Sequence, residues 1–378
     1  MPIKSKLPNT GTTIFSVMSK LANETGAINL SQGFPNFSVD EKLLQILSSK
    51  IQENVHQYAP MPGLPTLLVG LGNLVEKQYN RQLDPGKHIL VTAGATQAIF
   101  SSILALVQNQ EEVIILDPSY DCYEPAVVLA GGIPKRIPLL DDYGPDWDRI
   151  EDSINDKTRL IITNNPHNPS GRVWSEEDIL NLERLMNDHP NIICLSDEVY
   201  EFISFEKKHI SLNTREKIRE RTIITSSFGK TFHITGWKVG YVVGPENLIN
   251  EIKKVHQFNV FSVNSVSQAV LGEYLNHINV DDLSSLYQSK RDLFQGLMTE
   301  SKFKFLPCEG TYFQLADFSQ ISDQGDLEFC KSLAVDSGVA AIPVSVFNAN
   351  GLDNKTIRFC FAKDDQTLIN AAELLCKI

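Results

Sequence analysis

Long apolar runs are missing from this sequence of 378 residues, and so is an excess of positive charge. No segment approaches the roughly 20 apolar residues that a membrane helix needs, and the start MPIKSKLPNTGTT lacks the apolar stretch of a secretory signal. The 46 acidic residues outnumber the 34 lysines and arginines, which gives a net charge of −12. Because clustered basic residues bind nucleic acids and acidic membranes, we expect neither as a partner. Because a secretory signal and a membrane span are both missing, we expect a cytoplasmic protein.

Paired metal ligands are missing as well. The six cysteines are dispersed with no C-x-x-C pair, and the eight histidines show no H-E-x-x-H spacing. Such spacings are typical of zinc sites, and closely spaced cysteines are typical of disulfide frameworks. The sequence therefore predicts reduced thiols and no metal.

Strand and helix patterns alternate through the middle of the chain. The composition, with 42% hydrophobic and 21% charged residues, is that of an ordinary globular protein, and the length suggests two or three domains. The candidate strands are 89–92, 113–116, 160–163, 192–196, 222–225 and 241–243. The candidate helices between them are 95–107, 175–187 and 248–254. This alternation predicts an α/β fold whose mostly parallel sheet is covered by helices on both faces, with ligands beyond the carboxyl ends of the strands.

The pattern changes after Asn276. The candidate elements there are helices at 281–299, 327–337 and 366–377 and strands at 303–306, 311–315, 339–342 and 357–361. We interpret them as a smaller α+β domain. Helices are also predicted ahead of the sheet, at 12–27 and 41–53. The predicted organisation is a large domain over 41–276 and a small domain made of 277–378 together with 1–40, which includes an N-terminal arm.

Lys230 follows the strand predicted at 222–225, within the segment SSFGKTFHITGWKVGY. Burial or a neighbouring cation lowers the pKa of a lysine amine and frees its lone pair for Schiff-base chemistry, and Lys238 supplies such a cation. Two solvated lysines in a surface loop explain these residues equally well. The residues that follow the other predicted strands help to decide between a reactive lysine and two solvated lysines.

An anion site is predicted where Gly94-Ala95-Thr96 leads from a strand into a helix. Free N–H groups and the helix dipole favour a phosphate there, although ordinary helix capping uses the same residue types. Ser227, Lys230 and Lys238 strengthen the first interpretation. A phosphate site beside a reactive lysine is what pyridoxal phosphate requires.

Asp197 lies at the end of its predicted strand and suits the ring nitrogen of that cofactor, because an opposite charge keeps the nitrogen protonated. Asn168 and Tyr200 can donate hydrogen bonds to the ring oxygen, and Tyr120 can stack on the ring. Plainer alternatives stay open: a helix cap for Asp197, turn chemistry for the loop around Asn168 and core packing for Tyr120.

Over nearly its whole length the sequence resembles a class I, pyridoxal-phosphate-dependent aminotransferase of fold type I. The matching motifs, in family order, are NLSQGFPNF, QYAPMPGLP, VTAGATQA, DPSYDCYEP, NNPHNPSG, SDEVYE, SSFGKTFHITGWKVGY and CFAKDD. Lys238 and the run HQFNVFS at 256–262 are similar to the branch of kynurenine and bacterial methionine aminotransferases. Two positions depart from the commoner family pattern: Lys238 stands in place of arginine and Ser170 in place of threonine.

The resemblance implies a role in cofactor binding for each matching residue. Lys230 would hold pyridoxal phosphate covalently and later act as the base, Asp197 would pair with the ring nitrogen, and Tyr120 would cover the ring. The ring oxygen would be bound by Asn168 and Tyr200. The phosphate would be held by Ala95, Thr96, Ser227 and Lys238, with Tyr58 reaching over from the partner subunit.

The resemblance also implies how a substrate binds. Arg358 would clasp the substrate carboxylate bidentately, helped by Asn168 and the backbone of Gly33. Phe15 would line the side-chain pocket together with Phe261 and Tyr58 from the neighbouring subunit. No motif supports a second arginine for a dicarboxylate, so methionine and aromatic or other neutral amino acids are the expected donors.

The implied activity is ping-pong transamination between an amino acid and a 2-oxo acid, in a homodimer with shared active sites. Two alternatives stay open. A β-lyase would cleave C–S bonds with the same lysine and cofactor, and would form pyruvate and ammonia without an oxo-acid acceptor. A non-enzymatic, ligand-sensing domain of this type resembles the chain only when it is fused to a DNA-binding helical domain.

Overall fold

The computed structural model describes residues 3–8 and 10–378. The strands are β1 (Ile28–Asn29), β2 (Ile89–Thr92), β3 (Glu112–Asp117), β4 (Ile133–Pro138), β5 (Thr158–Asn164), β6 (Ile193–Asp197), β7 (Thr222–Ser227), β8 (Gly240–Val243), β9 (Lys304–Phe305), β10 (Phe313–Asp317), β11 (Val339–Ala340), β12 (Ile342–Pro343) and β13 (Thr356–Cys360).

The helices alternate with the strands. They are α1 (Ile14–Thr25), α2 (Glu41–Lys50), α3 (Pro65–Tyr79), α4 (Pro85–His88), α5 (Gly94–Leu106), α6 (Tyr123–Ala130), α7 (Trp147–Ser153), α8 (Glu176–Asp188), α9 (Phe228–Thr231), α10 (Glu246–Asn259), α11 (Ser265–Tyr274), α12 (Asp281–Leu297), α13 (Asp326–Asp336) and α14 (Asp365–Leu375). In the described part of the chain, no helix is long and apolar enough to cross a membrane. The cytoplasmic location stays a prediction.

A seven-stranded sheet forms the centre of the molecule, in the order β2-β8-β7-β6-β5-β3-β4. Strand β8 runs antiparallel to both of its neighbours, and the other neighbouring pairs are parallel. The predicted α/β class with a mostly parallel sheet is therefore confirmed.

Both faces of this sheet are buried. Along β3, Val113 and Ile115 point into a core shared with α5 and α10, whereas Ile114 and Leu116 point into a core shared with α3 and α8. A strand buried on both faces reads as a continuous apolar run, which is why the sequence predicts these strands well. Each fully buried aliphatic side chain contributes about 1.5–3 kcal/mol, so the sheet is a firm base for the residues at its edge.

A third core belongs to the antiparallel sheet β12-β13-β10-β9 and to helices α1, α12, α13 and α14. Strand β1 pairs in parallel with β11, so residues near position 28 are tied to residues near position 339. The division of the chain at 41 and 276 stays a prediction, and positions 1, 2 and 9 of its N-terminal arm lie outside the described residues.

Several elements differ from the prediction. Strand β4 was not predicted, because Pro134 and Pro138 are poor strand residues and are accommodated only by its position at the sheet edge. Helix α11 was not predicted because it buries five consecutive residues, Gln268 to Gly272, and so lacks an amphipathic period. Helices α3 and α6 were not predicted either.

The single strand predicted at 339–342 is wrong. Residues Val339–Ala340 pair with β1, and Ile342–Pro343 pair with β13 in a different sheet. The chain changes sheets at Ala341, and a continuous apolar run carries no signal for such a change.

Candidate active site

A cavity of about 270 Å³ opens where the carboxyl ends of the central strands face the antiparallel sheet. Asn164, Asp197 and Ser227 reach it from the ends of β5, β6 and β7, and Arg358 reaches it from β13. All predicted site residues except Tyr58 and Phe261 line it, namely Phe15, Gly33, Ala95, Thr96, Tyr120, Asn168, Asp197, Tyr200, Ser227, Lys230, Lys238 and Arg358.

Lys230 lies in the short helix α9, directly after β7, and is partly buried. Its Nζ atom donates a hydrogen bond to the carbonyl oxygen of Gly33 at 3.2 Å and lies 5.6 Å from the centre of the Tyr312 ring. Within the described residues, no carboxylate lies within 4 Å of Nζ. Burial, and to a smaller extent the charges of Arg358 and Lys238, lowers the pKa of Lys230 to about 8. The interpretation as a solvated surface lysine is therefore wrong for Lys230, whereas Lys238 is exposed.

Asp197 is the last residue of β6 and is almost fully buried. The Tyr123 hydroxyl donates a hydrogen bond to its Oδ2 atom at 2.6 Å, and the backbone N–H of Val199 donates to Oδ1 at 3.3 Å. Burial raises the pKa of Asp197 to about 6, and these two hydrogen bonds oppose the rise. At neutral pH the carboxyl is thus mostly ionised. No described helix begins directly after Asp197, which is followed by a turn at 199–202, so the helix-cap alternative is wrong.

Arg358 lies in the middle of β13 and is 1% exposed. Its Nη1 atom donates to Oδ1 of Asn168 at 2.6 Å, and its guanidinium carbon lies 3.7 Å from the centre of the Phe313 ring. Because a guanidinium only donates, Asn168 must present its oxygen to Arg358, which leaves its amide nitrogen as a free donor.

The Arg358 side chain carries unused binding capacity. Its Nε atom is buried without a hydrogen-bond partner, and in the described part of the chain no carboxylate lies within 4 Å of the guanidinium. Burial lowers the pKa of Arg358 to about 10, so the group stays charged at neutral pH. A buried cation with an unpaired donor suits a carboxylate ligand.

The start of helix α5 forms the third part of the site. Ala93 at the N-cap makes no side-chain cap hydrogen bond, so the first N–H groups of the helix face the cavity uncapped. Gly94 has φ +77°, and a Cβ atom at this position would lie 3.4 Å from Nζ of Lys238. A Cβ at Gly240 would lie 2.9 Å from the backbone nitrogen of Ala95, so this glycine lets β8 approach the helix start.

The donor set fits pyridoxal phosphate. The cavity lining contains three cations, Lys230, Lys238 and Arg358, and one carboxylate, Asp197. This charge balance, an uncapped helix start and an orphaned guanidinium nitrogen together suit a ligand with a phosphate and a substrate with a carboxylate.

Some residues of the site were not predicted. Tyr123, which holds Asp197, was missed although it follows the predicted Tyr120 by three positions, since a tyrosine in an apolar helix carries no local signal of its partner. Phe313, stacked on Arg358, and Tyr312, which donates to the Gly33 carbonyl at 2.7 Å, were missed for the same reason.

Tyr58 and Phe261 lie outside the cavity of their own chain. Their side chains are 83% and 46% exposed, and their rings contact each other edge to face with centres 5.4 Å apart. The role predicted for them requires a second subunit and stays a prediction.

The comparison with known proteins agrees with the geometry of the site. The family described as aminotransferase class I and II matches residues 25–375. Methionine aminotransferase from Escherichia coli is 46% identical over 379 residues, which cover 98% of this chain and 97% of that protein. Human kynurenine–oxoglutarate transaminase 3 is 36% identical over 394 residues, which cover 94% of this chain and 86% of that protein.

The chain belongs to the class I and II aminotransferases.

Solved structures of this family superimpose on the whole chain. YbdL from Escherichia coli, for which a methionine aminotransferase function is described, has a TM-score of 0.97 at 46% identity and covers 100% of both chains. N-Succinyldiaminopimelate aminotransferase from Mycobacterium tuberculosis has a TM-score of 0.95 at 34% identity, again with 100% of both chains covered. The predicted family, fold type and aminotransferase activity are thereby confirmed, and the β-lyase alternative gains no support.

The lowered pKa of Lys230 predicts that its amine reacts at a lower pH than a surface lysine. In cofactor-free protein, the rate at which a small amine-specific reagent labels Lys230 should rise with a midpoint near pH 8, because only the neutral amine is a nucleophile. Peptide mass spectrometry at a series of pH values measures this rate. Surface lysines in the same digest are the control, since the pKa of a lysine side chain in water is about 10.4. Superimposable profiles for Lys230 and the surface lysines would contradict the desolvated amine.

Proposed function

We propose that this aminotransferase uses pyridoxal phosphate to move the amino group of methionine, or of a similar neutral or aromatic amino acid, to a 2-oxo acid by a ping-pong mechanism. The observation that carries the proposal is the position of Lys230: its amine has a lowered pKa and lies in one cavity with Asp197 and Arg358. The Lys230 amine for covalent attachment of the cofactor, the Asp197 carboxylate for its ring nitrogen and the Arg358 guanidinium for the substrate carboxylate then lie in one cavity.

The cofactor would be held by the residues that the family resemblance assigns. Bound pyridoxal phosphate supplies an electron sink for the electron pair that stays on a substrate Cα when its proton leaves. Asp197 would face the ring nitrogen, and Asn168 and Tyr200 would face the ring oxygen, with the free amide nitrogen of Asn168 as a donor. The phosphate would be bound by the N–H groups and side chains of Ala95, Thr96, Ser227 and Lys238.

Proton transfer is the proposed task of the Lys230 amine. With a pKa of about 8, Nζ is a strong enough base to accept the Cα proton and a strong enough acid to return it near neutral pH. The Gly33 carbonyl, 3.2 Å from Nζ, keeps the free amine inside the cavity. General acid–base assistance of this kind contributes about 10²–10⁴-fold to the rate.

Preference for a neutral side chain is supported by the lining of the cavity. Phe15, Phe34 and Phe313 supply apolar surface, and Arg358 is the one arginine among the described residues that line the cavity. With Arg358 engaged by the α-carboxylate, a second carboxylate on the substrate has no guanidinium to pair with and would be desolvated at a cost. The methionine aminotransferase of Escherichia coli supports the same choice.

A panel of amino donors tests the proposal. With the purified, cofactor-loaded enzyme, kcat/KM for methionine and phenylalanine should exceed kcat/KM for aspartate by at least tenfold, because only the first two bury apolar surface without an unpaired charge. Stopped-flow absorbance of the half-reaction measures each value. Lys230→Ala is the negative control and should lose at least about 10²-fold in turnover while keeping its fold. Aspartate as the best donor would overturn the pocket assignment, and near-normal turnover of Lys230→Ala would overturn the catalytic lysine.

We also propose a homodimer whose partner subunit contributes Tyr58 and Phe261 to each site. Their exposed rings contact each other, and the 87% exposed Phe258 precedes Phe261 by three positions; this supports the proposal, since clusters of exposed apolar side chains mark protein interfaces. Light scattering should give twice the chain mass of 42.3 kDa.

Co-expression of Lys230→Ala with Tyr58→Ala tests the shared site. It should recover activity that neither variant shows alone, because one site of the mixed dimer is intact. A fully active monomer would contradict the shared site.

A further inference from the structure

We propose that His167 is a positioning residue which ties the loop bearing Asn168 to the loop bearing Tyr120, and that this link sets the affinity for the substrate carboxylate. The inference rests on the proposed function, because it assigns a supporting group to the same site.

The His167 ring bridges the two loops with both of its nitrogen atoms. The ring is 5% exposed; Nε2 lies 3.0 Å from the carbonyl oxygen of Pro118, and Nδ1 lies 2.7 Å from the hydroxyl of Ser170. Pro118 follows β3 and precedes Tyr120 by two positions, whereas Ser170 belongs to the Asn168 loop after β5. One side chain therefore joins the ends of two neighbouring strands.

The partners of His167 fix where its proton lies. A carbonyl oxygen can only accept, so Nε2 must carry a hydrogen, and in the neutral ring Nδ1 then accepts the hydrogen bond of the Ser170 hydroxyl. The oxygen of Ser170 also accepts from the backbone N–H of Arg172 at 3.2 Å. The hydrogen bonds thus run in one direction, from Ser170 through the neutral ring to Pro118. Burial also lowers the pKa of His167 to about 4, so the ring stays neutral at physiological pH.

The bond to Pro118 is the single hydrogen bond between loops 117–120 and 164–171 in the described part of the chain. Asn168 is the residue that follows His167, and its Oδ1 atom accepts from Arg358 at 2.6 Å. Its backbone N–H is held within its own loop by Asn164, at 2.8 Å. Other hydrogen bonds hold the two ends of the 164–171 loop, from Asn165 N–H to the Asp197 carbonyl and from Gly310 N–H to the Gly171 carbonyl, so the Pro118 bond fixes its middle part, which bears Asn168. Loss of that bond would let Asn168 shift away from Arg358, and displacement of a binding group by about 1 Å can cost up to 10²-fold.

Two amide substitutions separate the two hydrogen bonds of the ring. The amide of His167→Gln reaches the place of Nε2 and keeps the link to Pro118, whereas the amide of His167→Asn reaches only the place of Nδ1 and keeps the contact with Ser170. We expect His167→Gln to stay within threefold of the wild-type KM for methionine. His167→Asn should raise KM at least tenfold with a smaller change in kcat, since the carboxylate contact is made in the ground state.

A binding measurement without turnover gives the second readout. Calorimetry with the desamino analogue of methionine, which keeps the carboxylate but cannot react, should show the same order: wild type and His167→Gln alike, and His167→Asn at least tenfold weaker. Urea unfolding checks both variants. If His167→Asn does not fold, His167→Leu takes its place, because it removes both hydrogen bonds at similar volume, and it must show the same rise in KM.

The outcomes distinguish the two proposals. Equal KM and equal analogue affinity for His167→Gln and His167→Asn would overturn the positioning role, whether both match the wild type or both are impaired alike. A wild-type enzyme that neither transaminates methionine nor binds its desamino analogue would instead overturn the proposed function. The proposals stand together only if the wild type is active and the asparagine variant alone is weakened.

Discussion

The burial of Lys230 and Arg358 in one cavity, without a carboxylate partner for either among the described residues, is the constraint on which the rest of the site depends. Removing a cation from water costs several kcal/mol unless other groups replace its hydration. Here the Gly33 carbonyl and the faces of Tyr312 and Phe313 replace part of it. The part of the desolvation cost that these groups do not offset lowers the pKa of both Lys230 and Arg358. Under the proposed function, an anionic substrate and a carbonyl group that reacts with the amine would complete this site.

The fold makes this arrangement stable by placing it between the central sheet, which has a core on each face, and the antiparallel sheet, which has a core of its own. Asp197 and Ser227 come from strand ends whose remaining residues are buried on both sides of the central sheet, whereas Arg358 comes from a strand of the antiparallel sheet. Neighbouring side chains then fix each group: Tyr123 holds Asp197, and Asn168 holds Arg358. Because no single segment contains the site, its geometry depends on how the two sheets pack against each other.

The sequence predicts those parts of the molecule that have a local cause. Strands buried on both faces are continuous apolar runs, and the residues that follow them, such as Asp197 and Lys230, are thereby placed at one edge of the sheet. Arg358 was assigned only through the family resemblance, since one arginine in a strand has no local signal. The contact of His167 with Pro118 spans 49 positions and follows from the pairing of β3 with β5. The change of sheets at Ala341 likewise depends on which strands are neighbours in space.

Identification of the residue that carries the cofactor tests the central claim most directly. The enzyme is loaded with pyridoxal phosphate, reduced with borohydride to make the attachment permanent, digested and mapped by mass spectrometry. The account predicts that the cofactor mass is found on Lys230, and that Lys230→Ala carries none. Attachment to Lys238 or to another lysine in the wild-type enzyme would contradict it.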